Sequence, residues 1–200
     1  MAESARGDSG GLPLAQAGPR ANGFWGTVVF VLVLATALAA VIASYFYLGG
    51  NVVDNLRGSP AARIGQPAVA TALLAAGALA AAAAVRAIGR ERYGALRLRL
   101  IAAFALAAAH LWLLLVAWLG SGLAPAGSAR HSAFVGVAGF QAIVAAVLLV
   151  MLAVALAWAW ARPADARGHA TVWNAALVYG FAAVSGVVTF ATLYLVPRAG

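Results

Sequence analysis

An all-α membrane protein, a bundle of five transmembrane helices, is the fold class this sequence predicts. Three observations predict it. The chain has 200 residues, 64% of them hydrophobic and only 9% charged, where a soluble domain carries about 25% charged residues. The apolar residues are blocked into long runs, the pattern of membrane spans and not of one large core. Each run has roughly the 20 residues a helix needs to cross about 30 Å of hydrocarbon. Strands of a membrane barrel would instead be about ten residues of alternating character.

Residues 1–22 contain Gly, Ala, Pro and charge with no apolar face, and so read as a disordered tail. They do not resemble a signal peptide, because the polar stretch is long and the apolar run after it exceeds an h-region. The transmembrane domain is expected over 23–198. Its first span, 24–48, is closed by Gly49 and Gly50. The second, 67–88, is almost pure Ala, Leu and Val, and the third covers 98–119. The fourth covers 133–161 and the fifth 172–196.

The net charge is +8, and all 13 basic residues are Arg. Most stand at the ends of apolar runs, as topology determinants do. A nucleic-acid binder would gather them on one soluble face among aromatic and polar groups, so nucleic acid is not an expected partner. One side of the membrane would hold Arg6, Arg20, Arg86, Arg90, Arg92, Arg97, Arg99, Arg162 and Arg167, the other Arg57, Arg63, Arg130 and Arg198. This asymmetry predicts a cytoplasmic N-terminus and a C-terminus outside. The Arg86–Arg99 cluster is expected to face anionic lipid. The sequence has no Cys, which excludes disulfides, thiolate metal sites and Cys nucleophiles.

No Asp, Glu or Arg lies deep in any span, and Glu3, Asp8, Asp54, Glu91 and Asp165 fall in the tail or loops. Embedded charges are the usual marks of proton relays and ion paths, so a pump or ion transporter is disfavoured. A membrane hydrolase would need a base beside its chemistry, and no catalytic residue is identified. His110 is the one ionisable side chain well within a span, with His131 and His169 at span ends. A haem or metal site in a helical bundle takes ligands from facing helices, so His110 is expected to be a neutral, hydrogen-bonded interhelical residue. A path for a small solute would have to use His110, Gln141, Asn174, Ser185 and Thr189. Small residues run through the spans, including Gly136 and Gly139 in the fourth, and let backbones approach closely. Trp25, Tyr45, Tyr47, Trp158, Trp160, Trp173 and Tyr194 collect near span ends as an aromatic belt.

Three segments are more specific. The first span has Trp25-Gly26 at its start and Ala43-Ser44-Tyr45-Phe46-Tyr47-Leu48 at its close. The fourth has Ala133, Phe134, Gly139 and Phe140, and the fifth Trp173, Asn174, Phe181, Phe190 and Tyr194-Leu195. In order and spacing these resemble the five-helix form of subunit III of the haem-copper (cytochrome c or quinol) oxidases. The departures share a direction. Leu34 stands where the family has a Glu, and Gln141 and Val144 stand where it has His. Tyr179-Gly180-Phe181, Ala183 and Gly186 fall on the family's Trp-His-Phe, Asp and Trp. Functions tied to those polar groups, such as polar lipid fixation and support of proton uptake, are not carried over; the scaffold is.

The resemblance implies a non-catalytic subunit of a terminal respiratory oxidase in the bacterial inner membrane. It would bind no metal or haem itself, leaving haem and copper to its partner subunits, would pack on the catalytic subunit I, and would hold phospholipid. Residues placed by it, or by helix packing, at subunit or lipid contacts are Trp25, Gly26, Tyr45, Gly136, Gly139, Phe140, Gln141, Trp173, Asn174 and Phe181. The subunit-III-like accessory protein of nitric oxide reductases is a close variant. A small membrane transporter is the alternative from another class.

Overall fold

In hydrocarbon each backbone N–H and C=O must find its partner within its own segment, so apolar runs of this length become helices. A computed structural model describes residues 22–51, 64–120, 129–161 and 166–195. They form α1 (Asn22–Asn51), α2 (Gly65–Ile88), α3 (Tyr93–Leu119), α4 (Ala129–Ala161) and α5 (Ala166–Phe190), the last continued by a π-helical turn, Ala191–Leu195. All 5 are long and apolar enough to cross a membrane. The chain is an integral membrane protein. The tail expected over 1–22 lies outside the described residues except Asn22, which already begins α1. The end of the expected domain, 196–198, lies outside them too.

The largest boundary differences are at the starts of α5, at Ala166 where 172 was expected, and of α3, which starts at Tyr93 where 98 was expected and so takes Arg97 into the helix beside Arg99. Long Arg side chains can leave an apolar zone while their stems stay in it. Here the guanidinium groups also find carbonyls. Arg97 Nε donates to Ala159 O of α4 at 3.1 Å, and Arg99 donates to Ala83 O of α2 at 2.6 Å. Arg97 also lies 4.7 Å from the centre of the Trp160 ring, a cation–π contact. Two Arg side chains thus tie three helices together at one end.

The turn between α2 and α3 closes with paired hydrogen bonds. Arg92 N donates to Ala87 O at 3.0 Å and Glu91 N to Ile88 O at 3.0 Å. This is the pattern of a Schellman cap, whose left-handed position usually carries Gly. Glu91 occupies it, with φ 55°. Gly89, two residues earlier, keeps an ordinary helical φ of −65°.

Helix α2 packs on α3 and α5, α3 on α4, and α4 on α5, closing a ring of four; α1 lies outside it across α4 and α5. The buried positions of α2 include Ala70, Leu74, Gly77, Ala81, Ala84 and Ile88, and those of α3 are Leu96, Leu100, Ala103, Ala107 and His110. Steps of four and three give a mean period near 3.5, the seam of left-handed helix pairing. Ala and Gly along this seam let backbones approach, which matters because lipid tails supply no hydrophobic drive for helix association. Leu148, Leu152 and Ala155 of α4 and Val172, Val178 and Tyr179 of α5 complete the core. Helix α1 buries little. Leu38 and Tyr45 are its buried side chains, while Trp25, Leu32, Val33 and Tyr47 are exposed.

Candidate functional site

The interior of a lipid-soluble bundle has little to offer chemistry except its few polar side chains, so the site is built from these. His110 lies on the inner seam of α3 and is 2% exposed. Its Nδ1 is 2.8 Å from Ala70 O of α2, the interhelical bond expected of it. A carbonyl only accepts, so Nδ1 carries the proton. Gln141 of α4 and Ser185 of α5 are each 1% exposed. The Ser185 hydroxyl shares its proton between Gln141 Oε1 at 3.2 Å and Ala182 O at 3.0 Å, and Gln141 Nε2 donates to Ala182 O at 3.4 Å. Thr189 follows one turn later on α5 and is 5% exposed.

His110, Gln141 and Thr189 meet at one cavity of about 30 Å³, walled also by Pro67, Ala70 and Thr71 of α2, Leu113 of α3 and Gly186 of α5, with Ser185 held to Gln141 behind the wall. Phe190, Leu193 and Tyr194 extend the wall towards the end of α5. Gly186 is needed there. A Cβ on it would lie 2.8 Å from Leu74 Cδ2 and 3.4 Å from Gln141 Nε2, too close without a shift of the core. Four of the five polar residues available for a solute path therefore come together. Asn174 does not join them; it reaches the start of α1, where its Nδ2 is 3.5 Å from Gly23 O.

The contact residues inferred from resemblance and packing fall in several places. Tyr45 is buried in a small cluster with Val137, Ala138 and Leu193, against which Ala133, Phe134 and Tyr194 pack. Phe140 and Phe181 are half-buried against the main core, and Gln141 belongs to the polar cluster. Trp25, Gly26 and Trp173 are exposed. Gly136 places its missing Cβ 3.9 Å from Val41, and Gly139 has nothing within 4 Å. The close approaches within this chain are elsewhere, at Gly186 and Gly77. A Cβ on Gly77 would run into the Tyr179 hydroxyl, which donates to Ala103 O of α3 at 3.0 Å. This clasp of α2, α3 and α5 had a signal in the sequence, a glycine interrupting an Ala run and a tyrosine in mid-span.

Among the described residues no three His, Cys, Asp or Glu side chains gather where they could hold a metal ion. Among the described residues His110 stands as a single imidazole, and no carboxylate or Arg of theirs lines its cavity. What the arrangement can do is offer hydrogen bonds to a small uncharged molecule. Comparison of the chain with protein-family models and with curated protein sequences found no match.

Proposed function

We propose that this chain is a non-catalytic, subunit III-like component of a haem-copper terminal oxidase, packing on the catalytic subunit and binding lipid. The observation that carries the reading is the meeting of the resembling segments. Tyr45 from α1, Ala133 and Phe134 from α4, and Tyr194 from the end of α5 share one cluster. At the other end Asn174 reaches the backbone of Gly23, beside Trp25. Segments that carry one resemblance, joined by a bond between residues 151 positions apart, are thus neighbours in space, as parts of a common scaffold are.

The N-terminus is assigned to the cytoplasm and the membrane to the bacterial inner membrane. Arg86, Arg90, Arg92, Arg97 and Arg99 stand at the end of the bundle where α2 stops and α3 starts. The Arg bias in short loops points that end inwards. Exposed apolar side chains on α1 offer surface for lipid or for the catalytic subunit. Removing the chain from its host is expected to lower the amount of assembled oxidase, read as haem absorbance per membrane protein. Unchanged assembly and oxygen consumption would overturn the reading. If the haem protein lost is instead a nitric oxide reductase, the chain is the accessory protein of that complex.

A second reading, a small membrane transporter for uncharged solutes, is favoured by one observation. His110, Gln141 and Thr189, from three helices, line one cavity. Solute flux into liposomes holding the purified chain distinguishes it, since a scaffold subunit gives none.

A further inference from the structure

Two buried polar atoms in this chain stand out because they find no hydrogen-bond partner among the described residues while lining the same cavity. They are His110 Nε2 and Thr189 Oγ1. An unpaired polar group in a dry interior is costly, and each one calls for a bridging water or ligand. The behaviour of Thr189 is unusual for this protein. Thr27, Thr36, Ser44 and Thr71 each donate to the carbonyl four residues back, at 2.9–3.0 Å. Thr189 does not make that bond, although it too lies on a helix.

We propose that the cavity between α2, α3, α4 and α5 is a binding site for water, one or two molecules, bound to His110 Nε2 and Thr189 Oγ1. Four features select this ligand. Space of about 30 Å³ compares with the roughly 10–15 Å³ that a single water needs, so one or two fit. Among the described residues no Asp, Glu or Arg lines the wall, so an ion would lie there without compensation, and the ligand is uncharged. Because Nδ1 donates to Ala70 O, Nε2 of the neutral ring is an acceptor, and the ligand must donate to it. The hydroxyl of Thr189 and the amide of Gln141, in the same wall, supply the further partners that a buried water requires.

The site lies towards one end of the bundle. His110 precedes the end of α3 at Leu119 by nine residues, roughly 13 Å along the axis at 1.5 Å per residue, but its partner Ala70 follows the start of α2 at Gly65 by only five, and Pro67, Ala117 and Tyr194 carry the wall on towards the helix ends. Water there would link α3 to α5. The inference is independent of the oxidase reading, since it rests on the cavity alone.

The test is solid-state NMR of the full chain, labelled with ¹⁵N-histidine, in phospholipid bilayers. The His110 resonances are assigned by their loss in His110→Leu. Magnetisation from water is expected to reach the His110 ring, whose Nε2 should show the shift of a hydrogen-bonded acceptor. A ring with no transfer and the shift of a free Nε2 would overturn the proposal. Thr189→Val gives a second readout. With water bound, the variant moves the His110 Nε2 shift and lowers or leaves unchanged the unfolding midpoint. In a dry cavity it removes an unpaired hydroxyl, so the midpoint rises and the shift stays in place, which would refute bound water.

Discussion

Replacing Gly77 by Ala puts one methyl group where three helices meet, and the structure gives the sign of its effect. Gly in a helix is disfavoured relative to Ala by about 1 kcal/mol, so an open site would gain stability. Gly77 is not open. The new Cβ would overlap the Tyr179 hydroxyl and lie 3.1 Å from Cε1 of the ring. That ring is fully buried, and its hydroxyl donates to Ala103 O at 3.0 Å. A shift of the ring would disturb that bond. Overpacking costs about 1–3 kcal/mol, and a displaced interhelical hydrogen bond adds about 0.6–1.7 kcal/mol. Offset by the helix gain, Gly77→Ala is expected to destabilise by about 1–4 kcal/mol. In a Tyr179→Leu background, where the side chain stops short of the clash, the same substitution should be neutral or stabilising by up to about 1 kcal/mol. Reversible unfolding of the four proteins in mixed lipid–detergent micelles yields the double-mutant cycle. A Gly77→Ala protein as stable as the parent, or a cost unchanged by Tyr179→Leu, would refute the clasp.

Other positions carry expectations of their own. Gly139 has open space around its missing Cβ, so Gly139→Ala should leave folding of the isolated chain intact, while Gly139→Leu weakens co-purification with a partner; unchanged recovery of the partner would count against a contact there. Glu91→Gly relieves a left-handed residue at the α2–α3 turn and should stabilise by about 0.5–1 kcal/mol, the strain relief less the added chain entropy. A loss of stability on the same unfolding assay would contradict the assigned cap. Arg97→Ala removes a bond to Ala159 O and a contact with an exposed Trp160. With solvent screening its cost is about 1 kcal/mol, and Arg97→Lys should recover less than half because a point charge does not stack on the ring.

The spans were legible because length and apolar content alone decide them, and they were placed to within a few residues at most ends. The starts of α3 and α5 were not, since the apolar runs begin after Arg97 and after His169 while the helical backbone begins earlier, at Tyr93 and Ala166. His110 could be read as an interhelical residue from its isolation in an apolar span. Its company could not. Gln141, Ser185 and Thr189 lie on two other helices, and nothing in the sequence says which way those helices are turned. In a soluble helix the polar face gives that direction, but here the lipid face and the buried face are both apolar. The same blindness applies to glycines. Gly139 stands out in the sequence beside Gly136, yet among the described glycines Gly77 and Gly186 make the close contacts between helices, because Tyr179 and Leu74 stand opposite them. Opposing residues across a helix pair are set by packing, which one helix's sequence does not contain.

We propose above that this bundle serves as a scaffold for a haem protein carried by another chain. It is tested most directly by pulling the protein from gently solubilised native membranes by a C-terminal tag. The reduced-minus-oxidised spectrum is then recorded beside a mass-spectrometric identification of the partners. A scaffold subunit brings with it haem absorbance and a large polytopic oxidase subunit. A spectrally silent protein recovered alone would contradict it, and the transporter reading would take its place.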